Sequence, residues 1–286
     1  MKMMIERLLN KQKPCLSKAT YPYIFCILFI SMFSSFTKAD LLIEEPSGKN
    51  DRAECVILLH GMSRTSRSMV KMQSALTEAG FYTVNLGYPS TKKDIESITA
   101  DHLPPALAQC QHFSPTAIHF VTHSLGGIIV RQALTGSRPV NLGRVVMLSP
   151  PNQGSALVDR LKDWWLYGWL NGPAGQQLTT EKDSLPNTLG RVDYPVGVIT
   201  GDRHAFFDTW FSTIIPGTDD GKVSVAQAKV DGMSDFMVVH QSHPFIMNSD
   251  YVKSQTIHFL RHGVFNKLKE PPISKLSLDW FSASGK

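Results

Sequence analysis

Short apolar runs closed by glycine or polar turns alternate along this chain with segments whose apolar residues recur every three or four positions. Cys55 to Leu59 is the first such run, and it stops at His60-Gly61, which predicts a buried strand entering a glycine turn. Met69, Met72, Leu76 and Ala79 then recur at helical spacing, and Gly80 supplies the left-handed stop of a helix. Phe81 to Leu86 predicts the next strand. A second helix is expected from about Asp94 to Cys110, interrupted at Pro104 and Pro105, since proline removes a helical donor and crowds the preceding turn.

Ala117 to Thr122 predicts a third strand, followed from Leu125 by a helix through Ile129, Ala133 and Leu134 to Gly136. Val145 to Leu148 and Val196 to Thr200 add two strands of the continuously apolar kind found where helices cover both faces of a sheet. Phe236 to Val239 predicts a last strand, and a closing helix from about Tyr251 to His262 stops at Gly263. Strands alternating with helices define an α/β class with a mostly parallel sheet. Functional residues in such sheets follow the carboxyl ends of strands.

The N-terminal segment breaks this pattern. A basic stretch precedes an apolar run from Tyr21 to Phe36, and the small residues Thr37 and Ala39 frame a cut after Ala39, the layout of an export signal. An uncleaved membrane anchor is the alternative. The formal charge of +5 has its source here: Lys2, Arg7, Lys11, Lys13, Lys18 and Lys38 stand against Glu6, and the rest of the chain is neutral overall. A basic nucleic-acid-binding surface is therefore not supported. The expected organisation is a signal or anchor over residues 1–39, one catalytic domain over 40–265 with a lid-like insertion at 151–194, and a tail over 266–286.

Removal of the signal would take Cys15 and Cys26 with it and leave Cys55 and Cys110. No Cys/His spacing matches a zinc site, and His258 with His262 lacks the intervening glutamate of a metalloprotease helix. No metal or other cofactor is expected.

A serine hydroxyl is a poor nucleophile at neutral pH unless it is lifted off the backbone, set beside a base and faced with donors for the developing oxyanion. Thr122-His123-Ser124-Leu125-Gly126-Gly127, between a predicted strand and a predicted helix, has the context that lifting requires. With the strand into His60-Gly61-Met62, the Pro150-Pro151-Asn152-Gln153-Gly154-Ser155 stretch and late Asp-Gly and His signals, it resembles the α/β-hydrolase superfamily, and within it the bacterial lipase and esterase branch, over about residues 53 to 265. The chain departs from the family's Gly-x-Ser-x-Gly pattern at Thr122, which is bulkier than glycine.

The resemblance implies Ser124 as nucleophile and an oxyanion hole made by the backbone N–H groups of Met62 and Leu125. It implies a base late in the chain, at His243 in Ser242-His243-Pro244-Phe245, with His240 as the rival. The acid is expected just before a glycine, at Asp220 in Asp219-Asp220-Gly221, with Asp219 and Asp202 as rivals. Calcium-dependent relatives carry an acidic residue two positions after the catalytic histidine, where this chain has Phe245. In this fold the strands beginning near Cys55 and Ala117 are neighbours, which implies a Cys55–Cys110 disulfide in an oxidising compartment.

Two aromatic clusters stand out, Trp164, Trp165, Tyr167 and Trp169 in the insertion, and Phe206, Phe207, Trp210 and Phe211 before the acid. Trp164, Trp165, Trp210 and Phe211 are candidate walls of an apolar acyl site, with core packing the alternative reading. The implied activity is hydrolysis of a carboxylic ester, small-molecule or lipid, through an acyl-enzyme. A thioesterase, amidase or acyltransferase would use the same apparatus, and a non-catalytic binding protein could keep the fold.

Overall fold

The computed structural model describes residues 40–47, 53–136, 138–206 and 214–267, without the side chains of residues 165–167, 169 and 170. The predicted signal segment, most of the C-terminal tail, and Phe207, Trp210 and Phe211 lie outside the described residues.

Seven strands form one sheet: β1 (Asp40–Glu44), β2 (Glu54–Leu59), β3 (Tyr82–Gly87), β4 (Ala117–His123), β5 (Leu142–Leu148), β6 (Val196–Gly201) and β7 (Asp235–Val239). Their order is β1-β3-β2-β4-β5-β6-β7, with β1 antiparallel to β3 and every other pair parallel. The six predicted strands are all present. β1 was not expected, because its five residues are only half buried and follow directly on the apolar N-terminal run. It pairs through Asp40 with Gly87 and through Glu44 with Thr83.

Successive residues of a strand point to opposite faces, and the core divides accordingly. Ile57 and Leu59 of β2 join one cluster with Ile95, Ile98 and Leu103 of helix α2 (Ile95–His112) and Ile128 and Leu134 of α3 (Leu125–Gly136). Val56 and Leu58 join a second with Met72 and Leu76 of α1 (Val70–Glu78) and Val252 and Phe259 of α7 (Asp250–His262). The sheet is thus covered on both faces, which is why Cys55 to Leu59 and Val145 to Leu148 read as unbroken apolar runs.

Helix α2 corrects one expectation, since it runs through Pro104 and Pro105 to His112. The two prolines are exposed, as are Ala100 and Asp101, whose carbonyls lose their helical donors, so solvent can replace the missing hydrogen bonds. Asp94 caps the helix by accepting from the Ser97 N–H at 2.7 Å. Near its end, Cys110 is joined to Cys55 at the start of β2 in a disulfide with Cα atoms 5.8 Å apart.

Between β5 and β6 lie α4 (Ala156–Leu161), α5 (Trp165–Gln176) and α6 (Leu185–Thr188). Helix α5 is two pieces broken at Gly172, whose φ of 63° and ψ of −168° are non-helical. A Cβ on Gly172 would stand 1.8 Å from the Thr91 carbonyl oxygen, so both the conformation and the space demand glycine. Beyond that break the helix is tied to the connection between β3 and α2: the Ala174 N–H donates to the Lys93 carbonyl at 3.2 Å, and the Gln177 carboxamide oxygen accepts from the Ile95 N–H at 2.8 Å.

Candidate active site

Strand β4 ends at His123 and α3 begins at Leu125, leaving Ser124 alone in the turn with φ of 53°. A left-handed non-glycine residue costs roughly 1–2 kcal/mol, so the surroundings must hold it. The Ser124 N–H donates to the Leu148 carbonyl at 2.9 Å, and the Ser124 carbonyl accepts from the Gly127 N–H at 2.9 Å. A Cβ on Gly126 would lie 2.8 Å from the Leu59 carbonyl oxygen, which explains glycine where α3 crosses β2. Thr122, at the position of the family's first glycine, is fully buried, its side chain between strand and helix.

The Ser124 hydroxyl stands 3.0 Å from Nε2 of His243, and Nδ1 of that ring stands 2.8 Å from Oδ2 of Asp220. These three residues come from three loops that follow β4, β6 and β7 at one edge of the sheet. Asp220 is fully buried, and its Oδ1 accepts from the N–H groups of Lys222 at 3.1 Å and Val223 at 2.9 Å. Burial alone would push this carboxyl up, but the adjacent His243, with hydrogen bonds from His243, Ser149 and Val223, holds it below its ordinary value. The carboxylate is therefore ionised at neutral pH and requires a hydrogen on the facing Nδ1. Nε2 is left as the acceptor towards the Ser124 hydroxyl.

The rival residues have other partners. Asp219 Oδ1 accepts from the Gly221 N–H at 2.8 Å and lies 2.8 Å from Nε2 of His204. His240 is 76% exposed at its side chain and pairs with Asp202 at 3.0 Å. Two further residues to which the sequence pattern assigned no role brace the acid loop and the nucleophile helix. Ser155 donates its hydroxyl to the Lys222 carbonyl at 2.7 Å, and buried Arg131 of α3 donates to the Asn152 and Gly190 carbonyls at 2.9 and 2.7 Å. Ser155 carried a signal in its polar character within the stretch that follows β5, and Arg131 in being a charge on an otherwise uncharged helix.

The turn after β2 packs on the nucleophile: a Cβ on Gly61 would lie 3.1 Å from Cβ of Ser124. His60 shapes this turn. Its ring stacks on Tyr88 with centroids 3.9 Å apart, its Nδ1–H donates to the Gly61 carbonyl at 2.8 Å, and its Nε2 accepts from the Tyr88 N–H at 3.3 Å. The Tyr88 hydroxyl closes the loop by donating to the His60 carbonyl. Burial drives the His60 pKa down to about 4, so both hydrogen bonds keep their direction at neutral pH. Met62 follows directly, with its sulfur against Gly175 of α5, and Leu125 opens α3 beside Ser124.

The candidate acyl-site aromatics are less defined. Trp164 is 53% exposed just before α5, and the side chains of Trp165, Tyr167 and Trp169 lie outside the described residues. Among the described residues there is no group of three or more metal-ligating side chains, and no helix is long and apolar enough to cross a membrane.

The family model described as "Alpha/beta hydrolase family" matches residues 56–250. Among solved structures, the mature form of the lipase BlEst2 from Bacillus licheniformis is similar at 17% identity with a TM-score of 0.62, over 77% of this chain and 97% of that one. Est1E from Butyrivibrio proteoclasticus is similar at 16% identity and a TM-score of 0.51, over 78% of this chain and 93% of that one. A bromoperoxidase from Bacillus anthracis is similar at 15% identity and a TM-score of 0.52, over 78% and 96%. No curated protein matches the chain by sequence. At these identities the structural likeness establishes the fold, and the different names show that the fold does not decide the reaction.

Proposed function

Because the chain belongs to the alpha/beta hydrolase family, what distinguishes its reaction is the content of its site, and we propose that it is a serine hydrolase cleaving carboxylic esters with an apolar acyl group. The observation that carries this reading is the hydrogen-bonded line from Ser124 through His243 to Asp220, at 3.0 and 2.8 Å, on a serine held at positive φ. In the proposed mechanism, Ser124 Oγ attacks the ester carbonyl carbon while His243 Nε2 takes its proton. Asp220 stabilises the imidazolium, and the N–H groups of Met62 and Leu125 receive the oxyanion. Collapse expels the alcohol, which leaves with the proton from His243. Water, deprotonated by the same histidine, then attacks the acyl-enzyme and releases the acid and Ser124.

An apolar acyl group is favoured by the aromatic residues of the insertion, and a lid-like role for that insertion is supported by the packing of Gly175 of α5 against the Met62 sulfur beside the oxyanion turn. Export is supported by the basic-apolar-small N-terminal pattern and by the Cys55–Cys110 disulfide, with a retained membrane anchor as the other outcome for that segment. The test is turnover of chromogenic esters from acetate to palmitate beside the matched thioester and anilide, in wild type and Ser124→Ala. Esters of medium to long acyl chains should be the best substrates. Preference for the thioester or anilide would reassign the substrate class, and equal turnover by Ser124→Ala would remove the mechanism.

A further inference from the structure

His123, the residue before the nucleophile, takes no part in the proton transfers described above, yet it adjoins the base loop and the oxyanion turn as well as the nucleophile. Its side chain is 2% exposed, and its Nε2 lies 3.0 Å from the backbone carbonyl oxygen of His243. A carbonyl only accepts, so Nε2 carries the hydrogen. Burial, the neighbouring His243 and the Arg64 guanidinium all push the ring's pKa well below its ordinary value, so the ring is neutral and Nδ1 bears a lone pair.

That lone pair is buried without a hydrogen-bond partner. It faces Gly61 of the oxyanion turn, where a Cβ would come within 2.7 Å of Nδ1. A Cα hydrogen of Gly61 therefore occupies the approach to Nδ1, a contact too weak to repay the loss of solvent. A buried imidazole kept at that cost, one residue from the nucleophile, calls for a reason beyond packing.

The backbone of the base supplies the reason. His243 lies in an irregular loop, so no helix or strand ladder fixes it. Its N–H donates to the Asp220 carbonyl at 2.9 Å, and its carbonyl is held by His123. The first contact sets the base relative to the acid, and the second sets it relative to the nucleophile, because His123 and Ser124 are consecutive. The two imidazole rings lie 4.9 Å apart.

We propose that His123 is a positioning residue of the reaction: through its Nε2–H it fixes the His243 loop against the nucleophile turn, and through its Nδ1 face it requires glycine at the oxyanion turn. This rests on the serine-hydrolase reading of Ser124 and His243. Glutamine ends in an amide nitrogen at the ε position and restores the donor, whereas asparagine ends at the δ position and leucine has none. His123→Leu and His123→Asn should lower kcat by about thirtyfold with KM for a short ester nearly unchanged, and His123→Gln should recover most of the loss.

The decisive comparison repeats these substitutions in a His243→Ala background. A residue acting through His243 has nothing left to position there, so the further loss should fall below about threefold. Equal losses in both backgrounds, or a glutamine variant no better than asparagine, would overturn the proposal. The ring nitrogen shifts of His123 in the wild-type protein at neutral pH give a readout that does not depend on turnover or on any variant folding. They should report hydrogen on Nε2 and none on Nδ1, and the opposite tautomer would overturn the proposal. An absence of Ser124-dependent turnover in wild type would instead count against the proposed function.

Discussion

Removing the Cys55–Cys110 bridge should destabilise the protein heavily while leaving its chemistry intact. The two residues are 55 positions apart, and the chain-entropy estimate for a loop of that size is about 4 kcal/mol at 25 °C. Both cysteines are fully buried, so reduction also leaves two thiols in a core packed for a bonded pair, which adds to the cost. For a folded body the size of the 215 described residues, about 4 kcal/mol corresponds to a fall in Tm of roughly 10 °C. Cys55 is the second residue of β2, at the amino edge of the sheet, whereas Ser124 lies past the carboxyl end of β4, so the site is not in contact with the bridge. Thermal and denaturant unfolding of oxidised protein, reduced protein and a Cys55→Ala/Cys110→Ala variant would measure the effect, with kcat/KM at 25 °C as the control. A Tm change under 3 °C would refute the reasoning, and so would a large loss of activity at a temperature where the variant is folded.

His243→Ala should cut kcat/KM by at least about 10⁴-fold, while His240→Ala, exposed and paired with Asp202, should change it less than about twofold; the reverse order would move the base. Asp220→Asn should cost on the order of 10³–10⁴-fold and Asp219→Asn under about tenfold, read from the same assay, because only Asp220 meets the His243 ring. His60 gives a pH signature. With its pKa near 4 in the fold and about 6.5 in the unfolded chain, the unfolded state binds more protons between those values. The stability His60 contributes is therefore complete above about pH 6.5, falls as pH drops towards 4, and totals about 3 kcal/mol. Denaturant unfolding at pH 7 and pH 4 should show a drop smaller by that amount in His60→Gln, and an unchanged pH dependence would exclude His60 as its source.

Much of this architecture was legible because burial on both faces leaves unbroken apolar strands such as Cys55 to Leu59 and Val145 to Leu148, while Gly80 and Gly263 mark helix ends by their positive φ. Strand β1 was not legible, since a half-exposed edge strand needs only a partner and carries little periodicity of its own. The prolines of α2 misled because proline's cost depends on exposure, which a sequence does not display. At the site, strand-turn-helix order was enough to single out Ser124, but Asp219 and Asp220 are neighbours of one type. Only the loop's fold, turning one carboxylate to His204 and the other to His243, separates them. His123, Arg131 and Ser155 escaped notice as braces because each acts by contacting a backbone carbonyl far away in sequence, and His60 because its ring is set by Tyr88, 28 positions on.

The central claim is that Ser124 is an activated nucleophile, and fluorophosphonate labelling followed by peptide mapping tests it most directly. The hydroxyl 3.0 Å from His243 Nε2 should be labelled rapidly and to one equivalent, on the peptide holding Ser124, with labelling lost in Ser124→Ala and strongly slowed in His243→Ala. A folded wild-type protein that resists the probe, or that carries the label on another serine, would contradict the account.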